Sequence, residues 1–330
     1  MAAPFARPEE IARALDARTR AIEAGTRTSR AYADRAACFA QIGDFEAALA
    51  DLGEAVRLEP ANVPALQGRA EIEARLGRHR EAVADFGEVL KQQPGNFVAR
   101  HGRGASLTLL GEPEAAVADL DEVLRANPRY TPAYLARGEA HARAGRHARA
   151  IEDYGAFIAA NPEDGYARFR RGLSQARLGR LEEAVADFSD AIRLDPRLVS
   201  AYLERGRAYA RLDRPDRAVL DLGDAVSLAP RFALAHNELA WLLATSRHDG
   251  VRDGRKAVEH ARTAAELADY ANPGYLDTYA AALAEAGQFD EAVKWQARAL
   301  ELPGFQGAAR TEASARLELY RAGKPFRTPE

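Results

Sequence analysis

The chain has 330 residues, 29% of them charged, with a formal net charge of −3. That near-balance gives no global pull toward nucleic acid or an anionic membrane. Cys38 is the single cysteine, so an intrachain disulfide is excluded, and no run approaches the ~18 apolar residues of a membrane span. The first twenty residues hold no apolar segment of secretory type. The chain reads as cytoplasmic, a reading compatible with a removed signal or with excision from a larger protein.

In chain order, residues 8–24 read as a lone helix within an N-terminal segment 1–28, capping the open face of the first of six units. These units are of equal length and occupy 29–232, at 29–62, 63–96, 97–130, 131–164, 165–198 and 199–232. Their prolines Pro60, Pro94, Pro128, Pro162, Pro196 and Pro230 recur every ~34 residues, the period of a helix-turn-helix repeat. Each unit reads as two antiparallel helices. In 97–130 the first covers about Val98–Leu110, Gly111-Glu112-Pro113 turns the chain, and the second runs about Glu114–Arg125 and stops before Pro128. An extended seventh unit, 233–272, has a helix His236–Ala244 and then a long loop, 245–254, read as a solvated connection. An eighth unit spans 273–306. The segment 307–330 starts with a capping helix, Ala308–Arg321, and ends in a tail. A chain of this kind is one stacked array without a central core.

Further columns keep the interval: Ala14, Ala48, Ala82, Ala116, Ala150, Ala184 and Ala218; the turn glycines Gly43, Gly77, Gly111, Gly145 and Gly179; Leu52, Phe86, Leu120, Tyr154, Phe188 and Leu222; and Ala36, Ala70, Gly104, Gly138, Gly172 and Gly206. This pattern resembles the tetratricopeptide repeat family over nearly the whole chain, and 236–302 resembles the closing segment of bacterial multi-repeat proteins. The resemblance implies an all-α, right-handed superhelical solenoid whose first helices line a concave side. Three positions depart from the pattern: Arg100 and Arg168 stand where Tyr32, Tyr134 and Tyr202 are aromatic, and Asp213 replaces a turn glycine. The lysine and asparagine clamp by which some members hold a C-terminal carboxylate is absent. Its positions carry Ala33, Ala37, Gln67, Glu71, His101 and Ala105.

Two charged columns run beside the apolar seam: Arg35, Arg69, Arg103, Arg137, Arg171 and Arg205, and Asp51, Asp85, Asp119, Asp153, Asp187 and Asp221. They could form an anion track or an internal ion-pair ladder. Both lose charge together in the seventh unit (Leu239, His260) and the eighth (Tyr279, Trp295), which favours pairing within each unit. Charges beside a seam are ordinarily paired.

No catalytic, metal or cofactor constellation is present in the sequence. Gly102-Arg103-Gly104 lies inside a helix rather than after a strand. His236 and His260 could approach each other but lack further ligands, and Cys38 reads as a packed small residue. The expected function is a non-enzymatic scaffold that binds a protein or peptide, with no cofactor, nucleic acid or membrane partner. The implied concave groove is made of Leu135, Phe169, Leu173, Leu203 and Trp241, rimmed by Arg143, Arg170, Arg177, Arg207 and Arg211, with Asn237 beside them. Apolar side chains on an exposed face rimmed by charge suggest an interaction site, for a segment with apolar anchors and acidic residues. A neighbouring turn or the C-terminal tail could instead fill this strip. Alternatives are a regulatory segment of a larger enzyme or signalling protein, and a repeat-type nucleic-acid reader, which the acidic balance disfavours.

Overall fold

A computed structural model describes residues 8–329. Residues 1–7 of the expected capping segment, and Glu330, lie outside it. The described residues form eighteen α-helices and one 3-10 turn, with no strand. The chain is an α-solenoid, and it divides after Asn161 into two compact units.

The first unit begins with α1 (Pro8–Glu23), which packs on α2 (Ser29–Gln41). Its helix pairs are α2 with α3 (Phe45–Leu58), α4 (Val63–Arg75) with α5 (His79–Gln92), α6 (Phe97–Leu110) with α7 (Pro113–Ala126), and α8 (Pro132–Arg143) with α9 (His147–Ala160). The second unit holds α10 (Gly165–Arg177) with α11 (Leu181–Leu194), α12 (Val199–Arg211) with α13 (Pro215–Leu228), α14 (Ala233–Thr245) with α15 (Gly254–Leu267), and α16 (Pro273–Glu285) with α17 (Phe289–Glu301). The helix α18 (Gly307–Arg321) packs on α17. First helices also touch the next first helix: α4 meets α6 and α6 meets α8 in one unit, and α10 meets α12, α12 meets α14 and α14 meets α16 in the other.

Local chemistry sets the ends of these helices. Asn62, Asn96, Asp164 and Asp253 each accept a hydrogen bond from the backbone N–H three residues on, which satisfies one orphan donor of the first turn. At Gly111 the backbone is left-handed, with φ 81°, a conformation that glycine adopts without penalty. The interior is the column of alanines, Ala48 to Ala218, each fully buried, with Leu120, Tyr154 and Phe188 also at 0% exposure. These large side chains seat on small ones. A Cβ added at Gly172 would lie 2.7 Å from Phe188, and one at Gly138 would lie 2.9 Å from Tyr154.

Three departures from the repeat pattern have structural causes. Arg100 donates to the Pro94 carbonyl at 2.7 Å, and Arg168 to the Pro162 carbonyl at 2.9 Å. His236, at the same repeat position, donates Nε2–H to the Pro230 carbonyl at 3.0 Å. Each therefore closes the loop before its own helix, where a tyrosine would only pack. Asp213, at φ 56°, takes a left-handed turn that Asp tolerates. Its carboxylate binds Arg247 at 2.5 Å and His248 at 2.8 Å. These two partners hold the Asp213 carboxyl below the usual range.

The 245–254 loop is solvated only in its middle, where residues 247–250 are exposed, and it is tied down on both sides. Besides the Asp213 contacts, Arg252 donates to the Ser246 carbonyl and to Glu285, and Val251 is buried. The 3-10 turn Asp249–Val251 and these bonds stitch the insertion to the turn between α12 and α13, to α13 itself, and to α14 and α16.

Candidate functional site

The two charged columns meet within each repeat. In the first unit Arg35 makes two hydrogen bonds to Asp51, both at 2.7 Å. Arg69 binds Asp85, Arg103 binds Asp119 and Arg137 binds Asp153 in the same bidentate way. In the second unit Arg171 binds Asp187 and Arg205 binds Asp221. All six aspartates are buried. Their carboxylates raise the pKa of the guanidinium, as the Asp119 hydrogen bonds do for Arg103. The ladder is internal structure, and an anion track is excluded because the partner of every arginine is already in place. Arg137 reaches further, to Asp121 of the preceding repeat at 2.6 Å, and Arg205 to Ser189 at 2.9 Å.

Where the ladder stops, other pairs replace it. His236 and His260 face each other through their Nδ1 atoms at 3.1 Å, and burial together with His236 lowers the His260 pKa. Tyr279 and Trp295 pack with ring centroids 5.4 Å apart. No group of three His, Cys, Asp or Glu side chains that could hold a metal occurs among the described residues. Cys38 is buried and donates weakly to the Asp34 carbonyl.

The expected groove residues have different fates. Leu135 (half-buried) and Arg143 (exposed) lie on α8 in the first unit; the others lie in the second. Leu203 is corrected: it is only 3% exposed and belongs to one buried cluster with Leu239 and Leu243, because α14 packs beside α12 and covers it. Phe169 is half-buried, its ring 5.8 Å from the core ring of Phe188. The guanidinium of Arg170 sits over the Tyr166 ring. Arg207 is neutralised by Glu204 at 2.9 Å and Glu238 at 2.7 Å.

The remaining residues converge on the face of the first helices. Leu173, Arg177, Leu181, Arg207 and Arg211 line one open cavity of about 240 Å³ between α10 and α12. Arg211 also borders a second cavity of about 280 Å³ with Trp241, Thr245 and Thr328. Arg177 and Arg211 are exposed. One turn before Trp241, the Oδ1 atom of Asn237 is buried with no hydrogen-bond partner among the described residues.

Sequence reasoning missed the C-terminal anchor. Arg316 makes two hydrogen bonds of 2.9 Å to Asp277, and Gln296 donates to the same carboxylate at 2.6 Å. All three side chains are buried. Burial pushes the Asp277 carboxyl up, against the pull of Arg316. The tail then crosses α14, with Phe326 5.8 Å from Trp241. The covering of Trp241 by the tail is thus the occupant that the sequence left open.

A stack of helix pairs with an internal ladder and a ridged face of first helices defines a helical-repeat protein. Models of the tetratricopeptide repeat match residues 39–97, 68–131, 104–156 and 135–198, and another of that description matches 199–232. The chain belongs to the tetratricopeptide repeat superfamily. This repeat is typically a framework for interaction between proteins. A tetratricopeptide repeat protein from Parabacteroides merdae is similar over 70% of this chain and 91% of its own, at 20% identity and a TM-score of 0.55. PilW, a widely conserved type IV pilus biogenesis factor, covers 61% of this chain and 94% of its own, at 23% identity and a TM-score of 0.56. At such identities the likeness concerns the fold. Comparison with the curated proteins gives no match. No helix among the described residues is long and apolar enough to cross a membrane.

Proposed function

We propose that the chain is a non-enzymatic scaffold whose second unit binds an extended or helical protein segment along α10, α12 and α14. The observation that carries this is the pair of cavities sharing Arg211, one floored by Leu173 and the other by Trp241. An apolar side chain fits the Leu173 cavity, and burying it is worth about 1.5–3 kcal/mol. Arg177 and Arg211 then favour an acidic neighbour and speed encounter more than they add affinity.

A displayed peptide library selected against the immobilised chain tests this reading. Enriched sequences should pair an apolar residue with nearby Asp or Glu. They should lose binding to the full chain carrying Arg177→Glu with Arg211→Glu, while the melting temperature stays within a few degrees. Peptides without acidic residues, or undiminished binding to this variant, would overturn it.

A further inference from the structure

Residues 324–329 have no regular structure and lie across α14 and α16. Each contact is specific. The Phe326 ring packs on Trp241, and the Arg316 guanidinium lies 5.4 Å from the Phe326 centroid and 5.5 Å from the Trp241 centroid. Arg316 is itself fixed by the buried Asp277. Arg327 pairs with Glu285 at 2.6 Å. The backbone N–H of Thr328 donates to the Thr245 carbonyl at 2.9 Å, and the Thr328 hydroxyl donates to the Thr245 hydroxyl at 3.0 Å. That hydroxyl in turn donates to the Trp241 carbonyl.

These are the contacts of an extended peptide on a receptor. An aromatic anchor packs against a ring and a flat cation, a basic residue meets a carboxylate, and a backbone amide caps a helix end. The Thr245 carbonyl is one of the last four of α14, which have no partner within their own helix. Thr328 and Pro329 border the Arg211 cavity, so this stretch lies beside the α12 end of the proposed face.

The geometry points to a peptide subsite on α14 and α16, specific for an extended segment of aromatic, basic and small hydroxyl residues, which the chain's own Phe326-Arg327-Thr328 fills as a tethered competitor. This rests on the binding role proposed for the α10, α12 and α14 face, and it extends that face by one position. A partner reaching from Leu173 to Trp241 displaces the tail. The tail is suited to leaving, because beyond Lys324 only one backbone–backbone hydrogen bond, from Thr328, ties it down among the described residues. A chain segment with so few backbone hydrogen bonds opens at lower free energy than the packed helices it lies on. While attached, it competes at an effective concentration on the order of millimolar, enough to close the subsite to weak ligands.

The test uses the full chain and a labelled peptide of residues 324–329. Phe326→Ala with Arg327→Ala should release the tail and let the peptide bind at least about tenfold more tightly than to the unaltered chain, because the tethered competitor is gone. Adding Glu285→Gln should weaken that binding. Thr328→Pro, which removes the donated N–H at an exposed position, provides a second released variant should the first fail to fold. Equal binding to the unaltered and released chains, or no binding to a released chain of unchanged helix content, overturns the proposal. Arg177→Glu should leave capture of this peptide intact. Absence of acidic-segment binding to the unaltered chain, with intact tail-peptide capture by the released chain, therefore speaks against the longer groove alone, and acidic-segment binding without tail-peptide capture against the subsite alone.

Discussion

At Arg103 and Asp119 two opposed effects nearly cancel. Burying charge is costly, and pairing it in bidentate geometry recovers most of that cost. The pair therefore fixes the register of α6 on α7 more than it adds stability. Removing one partner is different, because the other stays buried without a counterion. Arg103→Ala should destabilise by about 1–3 kcal/mol, measured by urea unfolding. Arg103→Leu with Asp119→Leu should recover much of this, as the Leu239 and Tyr279 positions already dispense with charge. A double variant no better than the sum of the single ones would contradict the pairing account. Glu73 gives a pH-dependent counterpart. Burial, with Asp85 adding repulsion, pushes its carboxyl from the ordinary 4.5 up to about 7, against Arg69 and Arg78. An acid raised in the folded state binds more protons there than when unfolded. Stability contributed at this site is therefore full below 4.5, is lost as pH rises from 4.5 to about 7, and stays low above. Glu73→Gln should be close to neutral at the acidic end and stabilising by about 1 kcal/mol above neutrality, after discounting for partial exposure. A difference that does not change with pH would refute the shift.

Helix pairs are held in contact by the small-residue column. Gly172 lets Phe188 approach so closely that a Cβ would stand 2.7 Å from the ring. The ring is fully buried and cannot swing away, so Gly172→Ala should cost about 1–3 kcal/mol despite its better helix propensity. A stabilised variant in thermal melts would show that the interface yields instead. This column, the prolines and the turn glycines are strictly periodic, which is why the helices and their pairing could be read from the chain. The Arg–Asp pairing was equally legible, because both columns lose charge together where α14 and α16 begin new arrangements. The exposed strip was less so. A helical wheel places Leu203 on the same stripe as Leu173, but only the packing of α14 beside α12 decides that Leu203 is buried while Leu173 on α10 stays half-buried. The contacts of Asp213 with His248, and of Thr328 with Thr245, join residues 35 and 83 positions apart. No local period encodes them. The departure of Asp213 from glycine was the one visible trace of the first.

At the scale of the whole molecule, the repeats supply a regular framework, and the later repeats carry the irregular features: the His236–His260 pair, the stitched 245–254 loop, the buried Asp277–Arg316 anchor and the tail. These gather beside α12, α14 and α16, next to the Leu173 and Trp241 cavities. The proposed binding face is thus framed by the parts of the chain that break the repeat, while the Arg–Asp pairs of the regular repeats stay internal. The most direct measurement is site-specific photo-cross-linking of a library-selected peptide carrying a photoreactive aromatic residue, with the adducts mapped on the full chain. The account predicts adducts on α10, α12 and α14, around Leu173, Arg211 and Trp241. Adducts concentrated on the outer helices, such as around the exposed Leu220 of α13, would contradict it.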